Sequence, residues 1–249
     1  MRKTAVLSAL LASAGLLVLL GAAEPTKPPA TPTAPPRPTP TATPTPVPGE
    51  IKVSVVVAGT DGKKLPGVGS VAWIPGSKGA GPRPTPKLSS RNKRFDPRVL
   101  AVSKGSTVDF PNLDRIHHNV FSLSETAKFD LGLYKNGASK PWTFENPGVV
   151  RVYCNIHPQM AAFLMVVDGE ILGQTGLDGI ATLPPVPPGR YPLKVWDEKG
   201  GEWSGFADVQ SAKTTPLAVA LDASAWKEVP HKNKYGKDYP PPDDDENRY

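Results

Sequence analysis

Residues 152–160 read VYCNIHPQM, a stretch with three potential metal ligands at regular spacing. Cys154 is the chain's one cysteine; His157 stands three residues on, and Met160 three beyond that. The flanking runs GVVRVYC and AAFLMVVDG have the β-branched and aromatic composition of strands, which puts the three side chains on a short connecting loop. Such a loop can bring all three onto one ion. Thiolate and thioether are soft ligands and imidazole is intermediate, a mixture that favours copper. Closed zinc sites draw instead on cysteine, histidine and carboxylate in a tetrahedron. A mononuclear copper site for electron transfer needs one more histidine, to complete a plane of two imidazoles and one thiolate with a weak axial methionine.

FPNLDRIHHNVFS, residues 110–122, supplies candidates for that histidine. His117 and His118 are adjacent, so in an extended segment they point to opposite sides and at most one enters the site. Two competing readings of Cys154 are a buried, inert thiol and a nucleophilic Cys–His pair. No oxyanion-hole motif is evident to support the second. Met165 lies within the strand AAFLMVVD and reads as core, and His231, in the charged tail, reads as solvent-facing.

The chain opens MRKTAVLSALLASAGLLVLLGAAEP: two positive charges, a long uncharged apolar run, then small residues. That is the pattern of a secretory signal peptide cut after Ala23, the alternative being an uncleaved membrane anchor. No cysteine stands near the cut, which argues against a lipid anchor there. In an exported chain cysteines usually pair, so a lone thiol needs another explanation. Residues 24–48 form a Pro/Thr-rich spacer; 11 of the 24 residues from Pro25 are proline, too many for helix or sheet. It could extend roughly 70 Å as a stiff coil.

The net charge of +6 falls by two once Arg2 and Lys3 are removed with the leader. The remaining excess is mild and scattered, which suits an acidic protein partner and argues against nucleic-acid binding. From Gly49 to about Asp222 the chain alternates short apolar strands with turn signals such as Asp61-Gly62 and Asp178-Gly179, and no long stretch has a helical period. The expected class is all-β, built as sandwiches or barrels. Beyond Ala223 the chain is polar and charged, and residues 223–249 read as a flexible tail whose DDDE run is a solvated acidic patch.

VLAVSKGSTVDFPNLDRIHHNVFS (99–122), FDLG (129–132) and ENPGVVRVYCNIHPQMAAFLMVV (145–167) together resemble the cupredoxins, the small blue copper proteins. The Cys-x-x-His-x-x-Met loop is most similar to the amicyanin type. The resemblance implies a Greek-key β-sandwich over residues 86–168. It implies one mononuclear type 1 copper site with His118, Cys154, His157 and Met160 as ligands. It gives Asn119 a supporting role, bonding across to the cysteine loop, and leaves His117 without one. It also implies that the edge of His157 surfaces in an apolar patch, with Pro158, Ala161, Ala162 and Phe163 flanking it.

GQTGLDGIATLPPVPPGRYPLKVW (173–196) resembles the carboxypeptidase regulatory-like, or transthyretin-like, β-sandwich. That module covers residues 169–222. Residues 49–85 match the family's opening strands and are assigned to the same sandwich, with extra strands on the copper domain as the competing assignment. The pairing is similar to bacterial methylamine utilization proteins. The expected function is an exported periplasmic or envelope carrier of single electrons, not an enzyme, serving redox proteins such as a c-type cytochrome or a dehydrogenase. It would meet a membrane only if its leader were retained. A non-redox copper store and an envelope-binding module remain the alternatives.

Overall fold

The computed structural model describes residues 45–79, 84–228 and 230–239; the expected leader, nearly all of the spacer and the acidic run Asp243–Glu246 lie outside them. Strand β12, Ala161–Val167, shows how the layers stack. Successive side chains of a strand point to opposite faces, and here both faces are buried. Ala162, Leu164 and Val166 join one core; Phe163, Met165 and Val167 join another. Burial on both sides is why this strand reads as a nearly unbroken apolar run.

β12 belongs to a five-stranded sheet of order β6 (Val99–Ser103), β12, β11 (Gly148–Tyr153), β8 (His118–Ser124), β9 (Ala127–Tyr134). β6 runs parallel to β12 and the other pairs are antiparallel. A two-stranded sheet, β7 (Ser106–Pro111) with β10 (Ser139–Phe144), supplies Val108, Phe110 and Phe144 to the same core. Phe129 stacks on Trp142 with centroids 4.9 Å apart and tilts against Phe110 at 5.9 Å. The hairpin β4 (Ser89–Arg91) and β5 (Arg94–Asp96) turns through Asn92 and Lys93, both at φ 53°.

The strands on either side of this stretch pair with each other. β1 (Gly49–Ala58) runs antiparallel to β14 (Ile180–Val186) and parallel to β17 (Thr214–Asp222), with short β2 (Lys64–Pro66) along its end. The facing sheet runs β13 (Ile171–Gln174), β3 (Val71–Ile74), β15 (Gly189–Asp197), β16 (Gly201–Val209). Ile51, Val53, Ala72, Leu183, Leu193 and Val195 fill the core between them. One sandwich is thus interrupted in sequence by the other. At the Asp61-Gly62 and Asp178-Gly179 turns each aspartate accepts the amide two residues on, and each glycine takes a positive φ. Gly179 is needed on a second count: a Cβ there would lie 2.7 Å from the Val55 carbonyl oxygen.

A third buried layer joins the two sandwiches. Val71 and Trp73 of β3 and Trp196 of β15 meet Val99, Met165 and Val167. Trp73 donates its indole N–H to Asp168 at 2.9 Å, and Arg98 makes a two-pronged ion pair with Glu198 at 2.6 and 2.9 Å. Met165 is core, but of this joining layer and not of the sandwich that carries Cys154. The described strands bear out the all-β class, and no helix occurs among the described residues.

Candidate metal centre

Alternation along β11 sends Val150 and Val152 inward, and Cys154 follows them into the core with no exposure. The loop 154–160 is closed by its own backbone: the Cys154 amide donates to the Met160 carbonyl at 3.2 Å, and the Met160 amide to the His157 carbonyl at 3.0 Å. Met160 is fully buried in the core that holds Cys154. His118 opens β8 on the neighbouring edge and is also fully buried, whereas His117 is exposed. That opposition of neighbouring rings is the one that alternation requires.

Three ligating atoms converge. Nδ1 of His118 and Nδ1 of His157 are 3.1 Å apart, and Cys154 Sγ lies 4.0 and 3.6 Å from them. Those distances define a point in the plane of the three atoms about 2.1 Å from each. Bonds from a divalent first-row ion to imidazole nitrogen and to thiolate sulfur run at about 2.0–2.1 and 2.3 Å. Two imidazole nitrogens and one thiolate sulfur also form one face of a zinc tetrahedron; the donor that favours copper is the thioether of Met160, buried in the same core.

The groups behind the ligands fix their orientation. Asp114 Oδ2 is 2.7 Å from His118 Nε2, so this nitrogen carries the proton and Nδ1 presents its lone pair. Asp114 also accepts the amides of Asn92 and Lys93, at 2.6 and 2.9 Å, from the β4–β5 turn. Burial pushes the Asp114 carboxyl up, but the Lys93 amide, His118 and the Asn92 amide together hold it below its usual range. Burial pulls His118 below its ordinary value, against the opposing pull of Asp114, and so favours neutral imidazole, the form that ligates. Burial also pushes the Cys154 thiol up, opposed by the amides of Ile156, Asn119 and His157.

Asn119 Oδ1 accepts the Asn155 amide at 3.3 Å, reaching across to the cysteine loop, while its Nδ2 donates to Asp130 at 2.6 Å. Asp130 also takes the Gly132 amide and the Lys234 ammonium, at 2.8 and 2.6 Å. The sequence alone assigns no role to Asp114 or Asp130. Both stand inside the quoted motifs, but in irregular or bulged segments no period says which way a carboxylate faces.

Two expectations are corrected. His231 is not a free solvent group: its ring stacks on Tyr153 with centroids 3.9 Å apart, and Nε2 donates to the Pro158 carbonyl at 2.7 Å. Polar composition argued for solvent, but these contacts go to a ring face and a backbone carbonyl, which composition cannot reveal. Nor do all four of Pro158, Ala161, Ala162 and Phe163 face solvent around His157; only Pro158 is exposed and Ala161 half-buried there. Alternation resumes at Ala161, so Ala162 is wholly buried and Phe163 packs into the layer joining the sandwiches, under the Arg98 guanidinium.

No family model matches the chain, and no curated protein does. Among solved structures, a purple cupredoxin from Nitrosopumilus maritimus is 24% identical, with a TM-score of 0.30, covering 32% of this chain and 98% of its own. A copper-containing nitrite reductase from Thermus scotoductus SA-01 is 26% identical, with a TM-score of 0.32, over 36% of this chain and 24% of its own. A reduced amicyanin mutant is 22% identical, with a TM-score of 0.32, over 33% of this chain and 81% of its own. At those scores the matches are similarities only, and the reading of the site stands on its own geometry.

Proposed function

We propose that this chain is an exported cupredoxin that carries single electrons between redox proteins. One copper ion would be held by His118, Cys154 and His157, with the thioether of Met160, buried in the same core, as a fourth and weaker ligand. The observation that carries the reading is the triangle of Nδ1, Nδ1 and Sγ, with a point about 2.1 Å from all three. Copper supplies a one-electron couple between Cu(II) and Cu(I). The protein's part is to keep the ligands still, so that little rearrangement accompanies the change of charge. His118 is pinned by Asp114, Cys154 by the core, and the loop by Asn119.

His157 is the half-buried ligand, on a loop whose Pro158 and Gln159 are exposed, and electrons would enter there. At Gln159, two residues on, opens a cleft of about 770 Å³ lined by Arg91, Arg94 and Arg98 with the single acid Asp96. Arg98 is engaged by Glu198, which leaves Arg91 and Arg94 exposed to meet an acidic partner. A c-type cytochrome or a dehydrogenase would suit. The proposed place of work is the periplasm or cell envelope, and the proposed role is a carrier, not a catalyst.

The test is a titration of the full-length chain with Cu(II), followed in the visible and then by voltammetry. One equivalent should bring up an intense blue to purple band with a reversible one-electron wave. Absence of the band would overturn the site, and a band without a reversible wave would favour copper storage. Asp114→Ala should weaken copper binding by about 10–100-fold, because the imidazole loses the acceptor that fixes its tautomer and ring plane. Competition with a chelator measures this. Asp114→Asn keeps one acceptor oxygen for His118 but turns an NH2 on the Asn92 amide, so it should recover only part of the loss.

A further inference from the structure

After β17 the chain leaves the second sandwich and returns to the first. Trp226, beneath the Lys199 ammonium at 4.9 Å, marks its root. Residues 231–239 then run over the ligand loop and hold it at three places. His231 bonds the carbonyl of Pro158 and stacks on Tyr153, the neighbour of Cys154. The Lys234 amide donates to Asn155 Oδ1 at 3.0 Å. The Tyr239 hydroxyl donates to the carbonyl of Cys154 itself at 2.8 Å. Lys234 Nζ closes a ring through Asp130, Asn119 and the Asn155 amide back to the loop.

The segment is braced locally as well. Asn233 Oδ1 accepts the amides of Tyr235 and Lys237, its own N–H donates to the Lys237 carbonyl, and Gly236 turns at φ 73°. A turn fixed by its own bonds gives up less freedom on docking than an open coil would.

We propose that residues 231–239 are a strap by which the second sandwich holds the ligand loop in its metal-binding geometry before an ion arrives and slows its opening afterwards. This rests on the reading of His118, Cys154 and His157 as ligands. Its physical basis is pre-organisation: a loop already ordered loses less freedom on binding, and a loop tied at 154, 155 and 158 must break those ties to release the ion. It also gives the second sandwich a task, because the strap hangs from its last strand.

The experiment compares the full-length chain with the double variant His231→Ala, Tyr239→Phe. In the metal-free proteins, amide hydrogen exchange is followed over peptides covering 154–160. Peptides from β1 and β15 report whether the fold is intact. The loop should exchange at least about tenfold faster in the variant, the scale of one or two lost net hydrogen bonds, with β1 and β15 unchanged. Cobalt(II) loaded into the site should pass to a chelator faster by a similar factor. If the double variant loosens the control peptides too, Tyr239→Phe alone, which removes one hydroxyl, gives the same comparison. Unchanged loop exchange in a chain whose parent shows a normal copper band overturns the strap alone. Faster exchange in a chain whose parent shows no such band supports the strap and overturns the copper reading.

Discussion

Cys154→Ser should abolish the intense visible band of the copper-loaded chain, leaving a weak, pale absorption. The band in such a site comes from charge passing from thiolate sulfur to the metal, and Cys154 Sγ lies 4.0 and 3.6 Å from the two imidazole nitrogens. Serine offers a hard hydroxyl that stays protonated near neutral pH, so the strong covalent bond is gone. Two imidazoles would still hold the ion loosely. The variant should therefore bind copper at millimolar to micromolar levels with the colour lost, and calorimetry beside absorption separates the two effects. The buried hydroxyl sits beside imidazole nitrogens that can take its hydrogen bond, so the stability cost should stay near ~1–2 kcal/mol. Colour that survives the substitution would move the ion to other ligands and remove the electron-carrier reading with it.

Much of this site can be read from residues alone, for a physical reason. Ligand identity is a matter of atom type, and Cys154 and His157 share one short loop, so their convergence needs no long-range contact. Strand alternation admits only one of His117 and His118, the resemblance picks His118, and the structure buries His118 and leaves His117 exposed. The supports are less legible. Asp114 reaches His118 because the β4–β5 turn, some twenty residues earlier, presents two amides that anchor the carboxylate. No local pattern encodes that meeting. The His231 contacts are further still from sequence, since they join the chain's last described residues to a loop seventy-odd positions earlier. The incomplete apolar rim has the same origin. A run of Ala161, Ala162 and Phe163 says that the segment is apolar, and only the register of β12 says which of them face the core, which the other sandwich and which solvent.

That register also shows what the second sandwich does for the first. β12 is one strand removed from β8, which carries His118, and adjoins β11, which delivers Cys154. Its outward face is covered by β3 and β15 of the other sandwich and not by water. The ligand loop therefore leads into a strand buried on both sides and inherits stiffness from it. The sandwich that carries Cys154, standing alone, would expose Val99, Met165 and Val167, an apolar patch that water would not leave open without cost.

Trp73→Ala should therefore destabilise the whole molecule by about 3–5 kcal/mol, although Trp73 belongs to the sandwich that does not carry Cys154. The side chain is 3% exposed, packs with Met165 and Trp196, and donates its indole N–H to the Asp168 carboxylate. Removing it leaves a large cavity in the joining layer and takes that donor from the carboxylate at its rim. In urea, circular dichroism reports both sandwiches, and the absorbance of copper-loaded protein reports the ligand loop. In the parent the two should fall together, as one cooperative transition. In Trp73→Ala both midpoints should move down together. Trp73→Phe keeps a six-membered ring but loses the pyrrole part of the indole with its N–H, so it leaves a smaller cavity and should cost less than the alanine variant, about 1–3 kcal/mol. A copper transition that stays in place while the dichroism shifts would show two sandwiches that unfold independently. The site would then owe its rigidity to its own sheets alone.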